Sequence, residues 1–145
     1  MEVVKLEGED RLLYHLTAHL VMDKKVLAYN LNYPFRTSPD YCWFVATDNG
    51  DTLGFIPVEL KEKPQEEDKK AGNAIINNYY IADDDSHVFL MLLKEVVQAL
   101  LPDFELDAIV QKQHIPFFEQ NEFSIVVYWT RYVKMKAFRH EKKCV

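Results

Sequence analysis

Few residues in this sequence combine the type and the spacing that chemistry needs. His15 and His19 stand four apart, a spacing that on a helix brings two imidazoles to one face. No third ligand accompanies them and no His-Glu-x-x-His pattern is present, so two surface histidines and no bound metal are expected. No Ser-His-Asp or Cys-His arrangement stands out. Cys42 lies in an apolar run, where an inert core thiol is expected rather than a nucleophile. Tyr128, Trp129, Arg131 and Tyr132 can line a pocket with a cation or pack as cross-strand neighbours, and packing is the expected role. The densest charge is Asp83-Asp84-Asp85, immediately ahead of a long apolar run. Asp is a favoured helix N-cap, and each acid near a helix start offsets the dipole by about 0.3–1 kcal/mol, so capping is the expected role.

The elements that must hold these residues follow from periodicity. Val3–Leu6 is short and β-branched and reads as a strand. Leu12, Leu13, Leu16, Leu20 and Val21 recur at helical spacing, so residues 10–22 are predicted to be an amphipathic helix, with a weaker one over Lys24–Asn30. Tyr41–Ala46 and Thr52–Leu60 read as strands joined through Asp48-Asn49-Gly50-Asp51, since Asn-Gly between two apolar runs is the strongest short-range hairpin signal. Pro57 has no N–H for a ladder and marks an edge, a bulge or a bend. The charged run 61–72 reads as a solvated loop, and Ala74–Ala82 as the next strand. Ser86–Leu101 is apolar on most sides, so this helix is predicted to lie against a sheet with Phe89, Leu92, Leu93 and Val96 in the core, and Pro102 to end it. A strand over Leu106–Val110, a short helix over His114–Gln120 and a β-rich region from Phe123 to Phe138 complete the order, folding back near Trp129–Arg131. This order predicts an α/β (α+β) fold with a mixed, mainly antiparallel sheet flanked by helices.

Length and composition bound what such a fold can do. The sequence has 145 residues, 48% hydrophobic and 28% charged, which suits one domain with an ordinary core. Residues 1–138 are read as that domain and 139–145 as a basic tail. The formal net charge is -6, so no nucleic-acid partner is expected. Two cysteines far apart suggest free thiols in a reducing compartment, and the polar start has no signal-peptide character, so a cytoplasmic location and no membrane partner are expected. Only four glycines are present, so no extended glycine-rich loop can form.

The opening VVKLEGEDRLLYHL, the hairpin WFVATDNGDTLGFIPVEL with its Gly54-Phe55 pair, and IPFFEQNEF followed by YVKMKAF together resemble the GNAT N-acetyltransferase superfamily across almost the whole chain. The resemblance implies that acetyl-CoA sits at a splay between Ala74–Ala82 and Leu106–Val110. It assigns Tyr80, Ile81, Ala82, Ser86, His87 and Val88 to cofactor binding by position. It also implies transfer of an acyl group to a small-molecule or protein amine.

Three positions depart from the family's pattern. Asp83-Asp84-Asp85-Ser86-His87-Val88 stands where the family has a basic, glycine-containing turn, and it offers no Gly, Arg or Lys to a pyrophosphate. Phe118 stands where many members have a proton-donating Tyr. Asn77, Asn78, Tyr79 and Tyr80 stand on the strand that often bears a Glu base. Two functions therefore follow from the sequence. One is an acyl-CoA-dependent N-acyltransferase with an atypical phosphate-binding segment. The other is a catalytically silent GNAT-fold binding module that does not use acetyl-CoA.

Overall fold

The computed structural model describes residues 1–62, 72–101 and 103–138. Eight strands form one sheet, ordered β1-β2-β3-β4-β6-β8-β7, with β5 paired to β3. β1 is Glu2–Glu7, β2 Tyr41–Asp48, β3 Asp51–Glu62, β4 Gly72–Ile76 and β5 Tyr80–Ile81. β6 is Phe104–Gln111, β7 Ser124–Tyr128 and β8 Tyr132–Ala137. Every pairing is antiparallel except that of β4 with β6, which confirms the expected mixed sheet. The charged run between β3 and β4, Pro102 and the basic tail lie outside the described residues, apart from strand residues Lys61, Glu62 and Gly72.

Four helices dress the sheet: α1 Arg11–Val21, α2 Lys24–Tyr29, α3 Ser86–Leu100 and α4 Ile115–Glu119. Asp10 and Asp23 cap the first two, each accepting a backbone N–H at 2.8 Å. Helix α3 buries Phe89, Leu92, Leu93 and Val96 completely against Phe44, Ile56, Val58 and Ile76 of the sheet, as its sequence predicts. Helices α1 and α2 cover the opposite face, where Leu13 and Val26 pack with Trp43, Val45 and Phe55. Alternate residues of β2 and β3 thus serve two cores, because side chains along a strand point to opposite faces.

The hairpin between β2 and β3 closes as expected, with Asn49 and Gly50 both at positive φ, 50° and 86°. The expected single strand Ala74–Ala82 is corrected to two pieces. Ile76 pairs with Val58 and Tyr80 with Phe55, so Ile56 and Pro57 face three residues, Asn77, Asn78 and Tyr79. That is a bulge of one extra residue, with Asn78 at φ 59°. Pro57, which has no N–H to give, falls opposite the interruption. Ala82 belongs to a 3₁₀ turn over Ala82–Asp84, and the expected helix His114–Gln120 is a 3₁₀ turn, Lys112–His114, running into α4.

Candidate functional site

The bulge opens the sheet. β4 and β6 pair in parallel from Gly72 with Phe104 to Ile76 with Ala108, and there the pairing stops. β6 continues to Gln111 bonded to β8 alone, while β5 is bonded to β3 alone. The two strands therefore splay beyond Ile76 and Ala108.

The splay is filled by the protein's own side chains. Tyr79, only 1% exposed, stands in it with its ring against Phe89, Phe118 and His114. Its hydroxyl accepts the Gln111 backbone N–H at 3.1 Å, a donor at the strand's open end. On the backbone side, Asn30 Nδ2 donates to the Tyr79 carbonyl at 2.6 Å. Gln111 Nε2 completes the stitch by donating to Asn30 Oδ1 at 3.0 Å and to the Tyr29 carbonyl at 2.8 Å.

The same residues reach the acidic arm. His114, 1% exposed, lies with Nδ1 2.7 Å from Tyr79 Oη and Nε2 3.0 Å from Asp84 Oδ1. Tyr29 Oη donates to the same carboxylate oxygen at 2.5 Å. Every group in this chain of contacts is satisfied when Tyr79, which accepts from Gln111, donates to Nδ1 and Nε2–H donates to Asp84. Burial, and next the hydrogen bond to Asp84, push the Tyr29 phenol far above its usual range. Burial does the same to Tyr79, with the Gln111 amide pulling the other way.

The three aspartates have three different fates. Asp85 caps α3, its Oδ1 accepting the Val88 N–H at 3.1 Å. Asp84 is held by Tyr29 and His114. Asp83 is exposed at φ 57°, and Asp84 follows at φ 49°. Burial, then Asp83, Asp23 and Asp84 in that order, raise the Tyr80 phenol, so the arm's negative field extends to β5. Of the positions assigned to a cofactor by resemblance, Ile81 and Val88 are buried in the α3 core. Tyr80 packs edge-on against Tyr29, Ala82 turns away from the strand, and Ser86 and His87 are exposed at the start of α3. These positions run from β5 to the start of α3, and the segment between them carries the carboxylates of Asp83, Asp84 and Asp85. Phe118 is fully buried.

A cavity of about 400 Å³ opens on the other face of the sheet. Its floor is Pro57, Glu59, Ile75 and Ile109, which alternate with residues of the α3 core. Its walls carry Tyr33, Arg36, Tyr41 and Tyr132. Asn30 lines it too, and so joins the cavity to the stitched splay. The segment bearing Arg36 is pinned by Thr37, whose hydroxyl accepts Trp43 Nε1–H at 3.0 Å and donates to the Gly8 carbonyl at 2.7 Å. Asn78, also in the lining, donates to the Pro34 carbonyl at 3.0 Å. The sequence reading placed Tyr132 in packing; it lines this cavity instead, because even-numbered residues of β8 face away from the α3 core.

Cys42 is buried and its thiol is pushed up to about 11 by burial. His15 and His19 are exposed on α1, and among the described residues no group of three metal-ligating side chains occurs. Among them, too, no helix is long and apolar enough to cross a membrane. Sequence reasoning missed the Tyr29–Asn30–Tyr79–His114 cluster, whose members are scattered over 85 positions. The only local signal was the pair Tyr79-Tyr80 ending a strand.

The architecture is shared with solved N-acyltransferases. An acyl-CoA N-acyltransferase from Pseudomonas aeruginosa superposes with a TM-score of 0.66 at 14% identity, over 94% of this chain and 99% of that one. The ribosomal-protein-S18-alanine N-acetyltransferase from Escherichia coli gives 0.64 at 15% identity over 99% of each chain. The Campylobacter jejuni N-acetyltransferase PseH, solved in complex with acetyl coenzyme A, gives 0.58 at 13% identity over 96% of this chain and 100% of that one. No protein-family model matches the sequence, and no curated protein matches it. The chain therefore has the GNAT N-acetyltransferase fold, at a sequence distance that carries the fold and not the activity.

Proposed function

We propose that this protein is a GNAT-fold binding module that takes a small ligand in its sheet cavity and does not use acetyl-CoA. The observation that carries the reading is Tyr79 standing in the splay with its hydroxyl on Gln111 N–H and His114. An acyl-CoA arm running between β5 and β6 would compete for groups already paired. The Tyr79 carbonyl is taken by Asn30, and the Gln111 amide by Tyr79. At the arm's phosphate end it would meet Asp83 and Asp84, where like charge raises the cost further. A cytoplasmic location fits the two cysteines, which stand far apart in the sequence.

Isothermal calorimetry with acetyl-CoA tests this, run with and without Mg²⁺. No heat at micromolar to high micromolar concentrations is expected in either case. Micromolar binding without metal would sink the reading.

A second reading, an acyl-CoA-dependent N-acyltransferase acting on an amine, is favoured by the fold and by Glu59. That carboxylate sits in a cavity that adjoins the splay through Asn30 and is of the type that serves as a general base. Acetyl-CoA turnover in the presence of an amine, with Glu59→Gln inactive, is the outcome this reading requires.

A further inference from the structure

We infer that the cavity on the α1/α2 face binds a small zwitterion of the amino-acid class, with its carboxylate at Arg36 and its ammonium at Glu59. The inference rests on the proposal that this cavity is the ligand site, and it adds the chemistry of the ligand.

The argument begins with two unmatched charges. Arg36 and Glu59 both line the cavity, yet neither has an ion-pair partner among the described residues, and they are not paired with each other. Both act on the phenol of Tyr41, which burial and then Glu59 push above its usual range while Arg36 pulls it down. Their fields therefore overlap inside the cavity without cancelling in a salt bridge. A ligand carrying only an ammonium satisfies Glu59 and is repelled by Arg36; one carrying only a carboxylate meets the reverse. A ligand with both charges satisfies both.

The walls agree with that assignment. Tyr33, Tyr41 and Tyr132 supply ring faces and hydroxyls, which suit an ammonium. Pro57, Ile75 and Ile109 give an apolar floor for a short hydrocarbon body between the charged ends. A cavity of about 400 Å³ is in the range of small-molecule sites, roomy for one amino acid with water.

The test uses three matched probes: L-leucine with both charges, L-leucinamide with the ammonium alone and N-acetyl-L-leucine with the carboxylate alone. β-Alanine and γ-aminobutyrate vary the charge spacing. Binding to the full chain is followed by NMR shifts of the Arg36 side chain and the backbone amides. At least one zwitterion should bind about tenfold or more tighter than both singly charged probes. Arg36→Gln should reduce that zwitterion to the affinity of leucinamide, and Glu59→Gln to that of N-acetyl-leucine. Both residues lie at or near the surface, and unchanged far-UV spectra and urea midpoints would establish that the variants fold. No shift with any zwitterion, or no zwitterion that binds tighter than leucinamide and N-acetyl-leucine, overturns the inference. Acetyl-CoA binding is read in a separate titration, so each idea can fail without the other.

Discussion

Tyr79 and His114 meet across the open end of the sheet, hydroxyl to Nδ1 at 2.7 Å, and through that contact the bulged strand is tied to the loop before α4. The tie continues from His114 Nε2 to Asp84, so one imidazole holds both the splay and the acidic arm. Both ring nitrogens are thereby used, and the ring is buried among Tyr29, Tyr79 and Phe89.

Tyr79→Phe keeps the ring and removes the hydroxyl. The part-buried Gln111 N–H and the buried His114 Nδ1 then lose their partner. A cost of about 1–3 kcal/mol is expected, read as a lowered urea midpoint at unchanged slope. A variant as stable as the parent would mean that water replaces the hydroxyl and that the splay is less tightly closed than described.

The three aspartates should respond differently to substitution. Asp85→Ala removes the N-cap of α3 and should cost about 0.5–2 kcal/mol. Asp83→Gly removes an exposed charge and relieves a positive φ, so it should be neutral or stabilising. Thermal melts of the two variants check the contrast. It also shows where the arm can be redesigned toward a phosphate: only Asp83 can be changed without loosening the cap or the His114 contact. Equal losses at both positions would count against this division of labour.

Gly50→Val tests the central hairpin. Gly50 has φ 86° with open space around its Cβ position, so the penalty comes from backbone strain and not from a clash. A β-branched residue resists that conformation, and a loss of about 1 kcal/mol or more is expected by chemical denaturation. Gly50→Asn, which tolerates the same region, should recover most of it.

The sequence made some of this legible and hid the rest for physical reasons. The α3 core and the Asn49-Gly50 hairpin are local patterns, periodicity in one case and turn chemistry in the other, and both were readable. Pro57 signalled an irregularity but not where it lay, because the bulge is in the neighbouring strand at Asn77–Tyr79. The closed splay was not legible at all. Tyr29, Asn30, Tyr79, Asp84, Gln111 and His114 come from three stretches of the chain, 29–30, 79–84 and 111–114, and only the tertiary fold brings these together. Asp84 was read as helix capping because local chemistry favours it; its actual partners are 55 and 30 positions away. Arg36 and Glu59 escaped notice for the same reason, since a lone Arg in a loop and a lone Glu in a strand carry no motif.

Cys42 gives a prediction whose sign can be worked out in full. It lies in β2 opposite Val58 and faces the α3 core. Burial raises its thiol from 9.0 to about 11, with the charge of Lys5 opposing the rise. Below pH 9.0 the thiol is protonated in both folded and unfolded chains, so its contribution is complete and constant. Between pH 9.0 and about 11 the unfolded chain loses the proton while the folded chain keeps it, so unfolding becomes more favourable as pH rises. A shift of this size corresponds to about 3 kcal/mol once both forms have ionised. The raised phenols of Tyr29 and Tyr79 add loss of the same sign at higher pH, so the parent alone does not isolate the thiol. The difference between the parent and Cys42→Ala does. The variant should begin less stable, because it leaves space in a packed core, and its stability should fall less steeply across that pH window. Urea unfolding at a series of pH values gives both slopes, and parallel curves would show that the thiol is not held in the apolar environment described.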